Sequence, residues 1–139
     1  MKGFAKYCVP EKEKKLEKLM TVLDKTNSRG YYQELVRQSR EPTAVDFPKL
    51  RVMVTRDFVC SYEANWGMVI IPLREVKHSF LTNICNRTYS FDNLYIALET
   101  STARYDFGCI NRKSKALNQL QSEFHALLRQ RIPAPAANQ

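Results

Sequence analysis

Apolar residues change their period near residue 50, from the spacing of helices to that of strands. Leu16, Leu19, Met20 and Leu23 fall at i, i+3, i+4 and i+7, one apolar stripe on an otherwise charged helix predicted over 10–26. Pro10 lies where a first turn tolerates it, and Asn27-Ser28-Arg29-Gly30 is a stop. A shorter helix is expected over 31–39, with Tyr31, Leu35, Tyr32 and Val36 inward, and Pro42 and Pro48 bracket a loop. Residues 50–55 and 58–62 are rich in β-branched and aromatic residues and predict strands. Residues 63–67 look like a hairpin connection in which Gly67 can take positive φ. The near-continuous apolar run over 68–73 predicts a central strand covered on both faces, with Pro72 marking its end. An imperfect alternation spans 75–81. Leu94, Ile96 and Leu98 alternate with Tyr95, Ala97 and Glu99, and 103–110 gives the last of about six strands.

The closing helix carries the clearest signal. Over 113–131, Leu117, Leu120, Phe124, Leu127 and Leu128 step at helical spacing, with Lys115, Gln119, Gln121 and Glu123 on the other side. Ser114 or Asn111 can cap its start, Arg129 and Arg131 suit the negative end of its dipole, and Pro133 stops it. Strands followed by a helix indicate an α+β fold: a bent antiparallel sheet or partly open barrel, capped by the amphipathic C-terminal helix. The expected divisions are an N-terminal helical extension over 1–49, the sheet with its helix over 50–132, and a loose tail over 133–139.

Composition alters this picture little. A chain of 139 residues with 44% hydrophobic and 26% charged residues suits an ordinary globular domain. The formal net charge of +8 favours an anionic partner: nucleic acid, an acidic membrane surface or an acidic protein face. Cys8, Cys60, Cys85 and Cys109 form no C-x-x-C pair and no zinc spacing, so no metal site is expected. With no secretory signal and no apolar run near the roughly 18 residues that cross a bilayer, a cytoplasmic protein with reduced thiols is the expectation.

Between 50 and 131 the sequence resembles the bacterial pleckstrin-homology-like domains. The matching residues are Val54-Thr55-Arg56-Asp57-Phe58-Val59 and Ile70-Ile71-Pro72-Leu73-Arg74-Glu75-Val76. In that family a Thr ends the first strand, the second begins three residues later, and an Ile-Pro-Leu stretch with an aliphatic residue three positions on marks the third. The resemblance implies a bent, partly open barrel plugged by the last helix, and a binding scaffold with no catalytic role. Related eukaryotic domains bind lipid headgroups through basic residues in the first hairpin. Here that hairpin offers Arg56 beside Asp57, opposite charges in a short connection, which weighs against phosphoinositide binding.

The chemistry expected is therefore that of a binding module. Its protein partner would be met at Trp66, Arg56, Arg112, Lys113 and Lys115, with the inner membrane face as a site of action. The alternative is a nucleic-acid-binding protein: Arg112, Lys113 and Lys115 stand near Tyr89, Phe91, Tyr95, Tyr105 and Phe107, and cations interleaved with aromatics can hold single strands. The plainer reading puts those aromatics in the core and the cations in solvent. The helix over 12–25 is basic and amphipathic and could lie on an acidic membrane, though its narrow stripe fits packing on its own domain better. A cysteine enzyme built on Cys85 and His78 is the third reading, without a supporting motif. No glycine-rich phosphate loop occurs, and neither a cofactor nor a small-molecule substrate is implied.

Overall fold

Two compact units make up the chain, divided between Pro72 and Leu73. The structure is a computed structural model that describes residues 3–63, 67–85 and 87–133. It is α+β, with antiparallel sheets, helices at the amino-terminal side and one helix after the last strand. The expectation is a bent antiparallel sheet or a partly open barrel. The described strands form separate sheets of four, three and two strands, and none of them closes.

The first unit holds helices α1 (Phe4–Cys8), α2 (Glu13–Lys25) and α3 (Tyr32–Ser39), then strands β1 (Val45–Phe47), β2 (Val52–Val54), β3 (Phe58–Ser61) and β4 (Val69–Pro72). The strands pair in chain order as an antiparallel meander. Residues before 50 share its core: Phe4, Cys8, Leu23 and Leu35 are buried with Met53, Phe58, Cys60, Tyr62, Met68 and Ile70, and Leu19, Met20, Tyr31, Tyr32 and Val36 pack against them. The stripes read from the sequence therefore cover the sheet of their own unit. β4 is an edge strand of the meander, not a central one. Its apolar run reflects burial of Ile70, Ile71 and Pro72, which does not require hydrogen-bonded neighbours on both sides.

Two elements here lack a sequence signal. β1 occupies the expected loop between Pro42 and Pro48, because three residues are too few to show a period while pairing with β2 still fixes them. α1 is a five-residue helix of the kind that is unstable alone and needs tertiary support. Asp46 supplies it: its Oδ2 accepts from the Phe4 amide at 2.9 Å, and its Oδ1 accepts from the Tyr62 hydroxyl. Gly3 sits at φ 76°, and a Cβ there would lie 2.0 Å from Asp46 Oδ2, so this junction requires glycine.

The buried Gln38 of α3 bonds fully to the β2–β3 turn and its own helix. Its Oε1 accepts from Thr55 Oγ1 and the Asp57 amide, both at 2.9 Å, and its Nε2 donates to Glu34 and Asp57 carboxylates at 2.9 and 2.6 Å.

The second unit contains β5 (His78–Thr82), the hairpin β6 (Ile84–Cys85) and β7 (Thr88–Tyr89), β8 (Asn93–Glu99), β9 (Arg104–Asn111) and α4 (Lys115–Arg131). Its sheet has the order β5-β8-β9. The β6–β7 hairpin interrupts the meander and was not expected, its strands being two residues each. Ser114 caps α4 as expected, its Oγ accepting from the Leu117 amide at 3.2 Å.

Helix α4 buries Phe124 and Leu128 completely, with Leu117, Leu120 and Leu127 half-buried, and Phe124 meets Phe107 of β9 edge-on at 6.1 Å. Gln121 corrects the pattern: expected on the polar side, it is 1% exposed. The reason lies in the sheet. Pairing slips between Leu94 and Ile96, and Gly108 takes φ 63° opposite the slip. Gln121 Nε2 donates to the Leu94 and Gly108 carbonyls at 3.0 and 2.8 Å. One amide thus provides for two carbonyls at a break in the ladder and fixes α4 on the sheet, since a buried carbonyl without a partner is costly.

Candidate functional site

The hairpin β6–β7 stands on a neck of short polar side chains. Asn83 Nδ2 donates to the Ser90 and Asn93 carbonyls at 3.2 and 2.9 Å, Asn93 Nδ2 donates to Ser90 Oγ at 3.0 Å, and the Ser90 amide donates to the Asn83 carbonyl at 2.8 Å. Arg104 of β9 ties in the first hairpin strand. Its Nη2 donates to the Ile84 carbonyl at 2.8 Å, while its Nε bonds Asp106 at 3.0 Å. Side chains are thus held out into solvent by a fixed base. Tyr89 is 63% and Phe91 67% exposed, and Ile84, directly across the hairpin from Tyr89, is 45% exposed.

The start of α4 adds cations to this face. Arg112 places its guanidinium 5.2 Å from the Phe91 ring centroid and donates from Nη1 to the Phe91 carbonyl at 3.3 Å, while its amide donates to the Asp92 carbonyl at 2.8 Å. The turn is locked locally. Asn111 Oδ1 accepts from the Lys113 amide at 2.9 Å, and Asn118 Nδ2 donates to the Arg112 and Ser114 carbonyls at 2.7 and 2.8 Å. Lys113 and Lys115 follow, both exposed.

The expected site residues do not gather in one place. Arg112, Lys113 and Lys115 share this face of the second unit. Arg56 lies in the first unit and is engaged by carboxylates, at 3.2 Å from Glu41 and 3.3 Å from Asp57, both acting to keep it charged and occupied. Trp66 lies outside the described residues. The aromatics divide: Phe107 is core, Tyr95 and Tyr105 are half-buried, and Tyr89 and Phe91 are exposed. The exposed Ile84 and the cation Arg87 at the hairpin turn were not singled out from the sequence. An aliphatic residue in a two-residue strand offers no pattern by which to find it.

Elsewhere three of the four thiols are buried. None of the four cysteines is in a disulfide, Cys8 and Cys60 are buried, and desolvation pushes both thiols well above their usual range. Of the Cys85–His78 pair, Cys85 is buried and His78 exposed. His125 Nε2 lies 3.2 Å from Ser79 Oγ, and burial lowers its pKa. Among the described residues no carboxylate is hydrogen-bonded to that imidazole and no His/Cys/Asp/Glu group is arranged to hold a metal ion. No helix of the described residues is long and apolar enough to cross a membrane.

In comparison with known proteins, no family model matches the chain, nor does any curated protein or solved structure. The fold and the site thus define an α+β protein with an exposed aromatic and cationic face.

Proposed function

We propose that the chain is a non-catalytic binding module of the pleckstrin-homology-like type that docks an acidic protein surface on the face of Tyr89, Phe91 and Arg112. The fold half of this reading is supported by the positions of the residues that carry the resemblance. Thr55 follows β2, β3 opens at Phe58, and Ile71-Pro72-Leu73 spans the end of β4. A four-stranded antiparallel meander in the first unit and a three-stranded antiparallel sheet in the second come before a helix packed through its apolar stripe.

The observation that carries the functional half is the pairing of two large exposed aromatics with an arginine already ordered against one of them. Exposed aromatic and arginine side chains on a fixed base contribute most to protein interfaces, since little entropy is lost when they are covered. The aliphatic Ile84 beside Tyr89 favours a protein over single-stranded nucleic acid, whose bases gain most from flat rings. Lys113 and Lys115 favour an acidic partner. The cytoplasm is the compartment this reading assigns, in keeping with four cysteines outside any disulfide.

The test is a photo-crosslinking amino acid placed at position 89 or 91 in the full chain in living cells, with positions 14 and 123 as controls. The reading expects one dominant protein adduct from 89 and 91, absent from the controls and lost with Arg112→Glu. An adduct removed by nuclease would favour the nucleic-acid reading. Equal adducts from all four positions, or none, would exclude this face.

A further inference from the structure

In the first unit, α1, the end of α3 and the strands β1 and β2 surround an open-mouthed cavity of about 380 Å³. That is the low end of the roughly 300–1,000 Å³ usual for small-molecule sites, so the cavity suits a small ligand. Part of its wall is apolar. Phe4 and Met53, 3% and 2% exposed, line it together with the half-buried Val9. The wall is also fixed: the Phe4 amide donates to Asp46 at 2.9 Å, and Met53 pairs with Asp46 across β1 and β2.

Charges of both signs complete the lining. Glu11 and Asp46 bring carboxylates, and Arg40 brings a guanidinium. Glu11 and Arg40 are exposed, and neither side chain has an ion-pair partner among the described residues. Each Asp46 oxygen accepts one hydrogen bond, from the Phe4 amide or the Tyr62 hydroxyl. A carboxylate so engaged keeps lone pairs for a further donor.

A fixed apolar wall, a carboxylate pair and a lone guanidinium specify a ligand with three parts. We propose that the cavity binds a free apolar α-amino acid, of the size of leucine, methionine or phenylalanine. Its ammonium would face Glu11 and Asp46, its carboxylate would face Arg40, and its side chain would cover Phe4, Val9 and Met53. A simple amine would leave Arg40 without a counter-charge, and a fatty acid would leave the two carboxylates without one. A residue inside a peptide carries neither an α-ammonium nor an α-carboxylate, so a free amino acid fits where a protein segment does not. The site belongs to the first unit and does not depend on the docking face of the second.

Isothermal titration calorimetry of the full chain tests this, with L-leucine, L-methionine and L-phenylalanine as probes. At least one should saturate a single site with a Kd of about 1 mM or tighter, well inside the ceiling for a ligand of about ten heavy atoms. Its N-acetyl derivative, without the ammonium, and its amide, without the carboxylate, should each bind about tenfold or more weakly, as loss of a charged hydrogen bond predicts. Glu11→Gln should narrow the advantage of the free amino acid over the N-acetyl form. Arg40→Gln should narrow its advantage over the amide. Both positions are exposed, and the urea unfolding curves of the variants should superimpose on the parent. Affinities weaker than about 1 mM for all three amino acids would overturn the proposal. So would either derivative binding as tightly as the free amino acid, or both variants keeping the parent's preferences.

Discussion

Replacing Gln121 by leucine keeps the helix and the approximate volume while removing one amide from the break in the β8–β9 ladder. The Leu94 and Gly108 carbonyls, now served at 3.0 and 2.8 Å, would be left without that donor. Each buried group so abandoned costs about 1–3 kcal/mol. Leucine is the more apolar side chain and returns about 1 kcal/mol at a fully buried position. The net loss is therefore about 3 kcal/mol, a large part of the roughly 5–15 kcal/mol that holds a domain together. Urea unfolding followed by far-ultraviolet circular dichroism should place the midpoint about 1–3 M lower, for the slopes usual in small proteins. Gln121→Glu sharpens the test. Its carboxyl, set against two carbonyl oxygens, would have a raised pKa in the folded state. The variant should then be least impaired below the ordinary carboxylate range and lose stability as pH rises through that raised value. A Gln121→Leu protein within about 0.5 kcal/mol of the parent, inside the ordinary scatter of surface changes, would refute the argument that the amide secures α4.

Gly108→Ala should destabilise by about 1–2 kcal/mol in the same assay, because φ is 63° and the new Cβ would meet Ile96 Cδ1 at 3.1 Å. His125 has its pKa lowered from 6.5 by burial, assisted by Arg129 and opposed by the bond to Ser79, so the folded state disfavours its proton. Its contribution is intact above the unfolded value and is lost as pH falls through the lowered one, a dependence that His125→Asn should flatten in pH-resolved unfolding. Glu63 is the opposite case: burial raises its carboxyl, with Arg51 opposing, so stability is lost as pH rises through the raised value. Glu63→Gln should therefore stabilise at neutral pH, with the gain vanishing in acid. Cys8 and Cys60, buried and with raised thiol pKa values, should be alkylated at the rate of unfolding, and prompt alkylation of either in the native protein would contradict their placement.

The helices and most strands were legible because their signals are local and periodic. The stripes of α2 and α4 repeat at helical spacing, and β2, β3 and β8 are β-branched or alternating. What escaped is set by contacts distant in sequence. α1 depends on Asp46, forty-two residues beyond Phe4. β1 is a strand only because β2 pairs with it, and Gln121 is buried only because a slipped ladder faces it. The degree of sheet closure was not legible for a related reason, since closure depends on how sheet edges meet and no single strand encodes it. At the site, Arg112, Lys113 and Lys115 were found as a charge cluster, yet Phe107 and Phe91 look alike in sequence. One is 2% exposed and the other 67%, a difference made by the hairpin inserted between β5 and β8.

Once the protein captured at positions 89 and 91 is purified, its affinity for the full chain and for Phe91→Ala is the decisive comparison. Phe91→Ala should bind about tenfold or more weakly, with an unfolding curve that superimposes on the parent, as expected for an anchor at an interface. Equal affinity of the two proteins would contradict the assignment of this aromatic and cationic face.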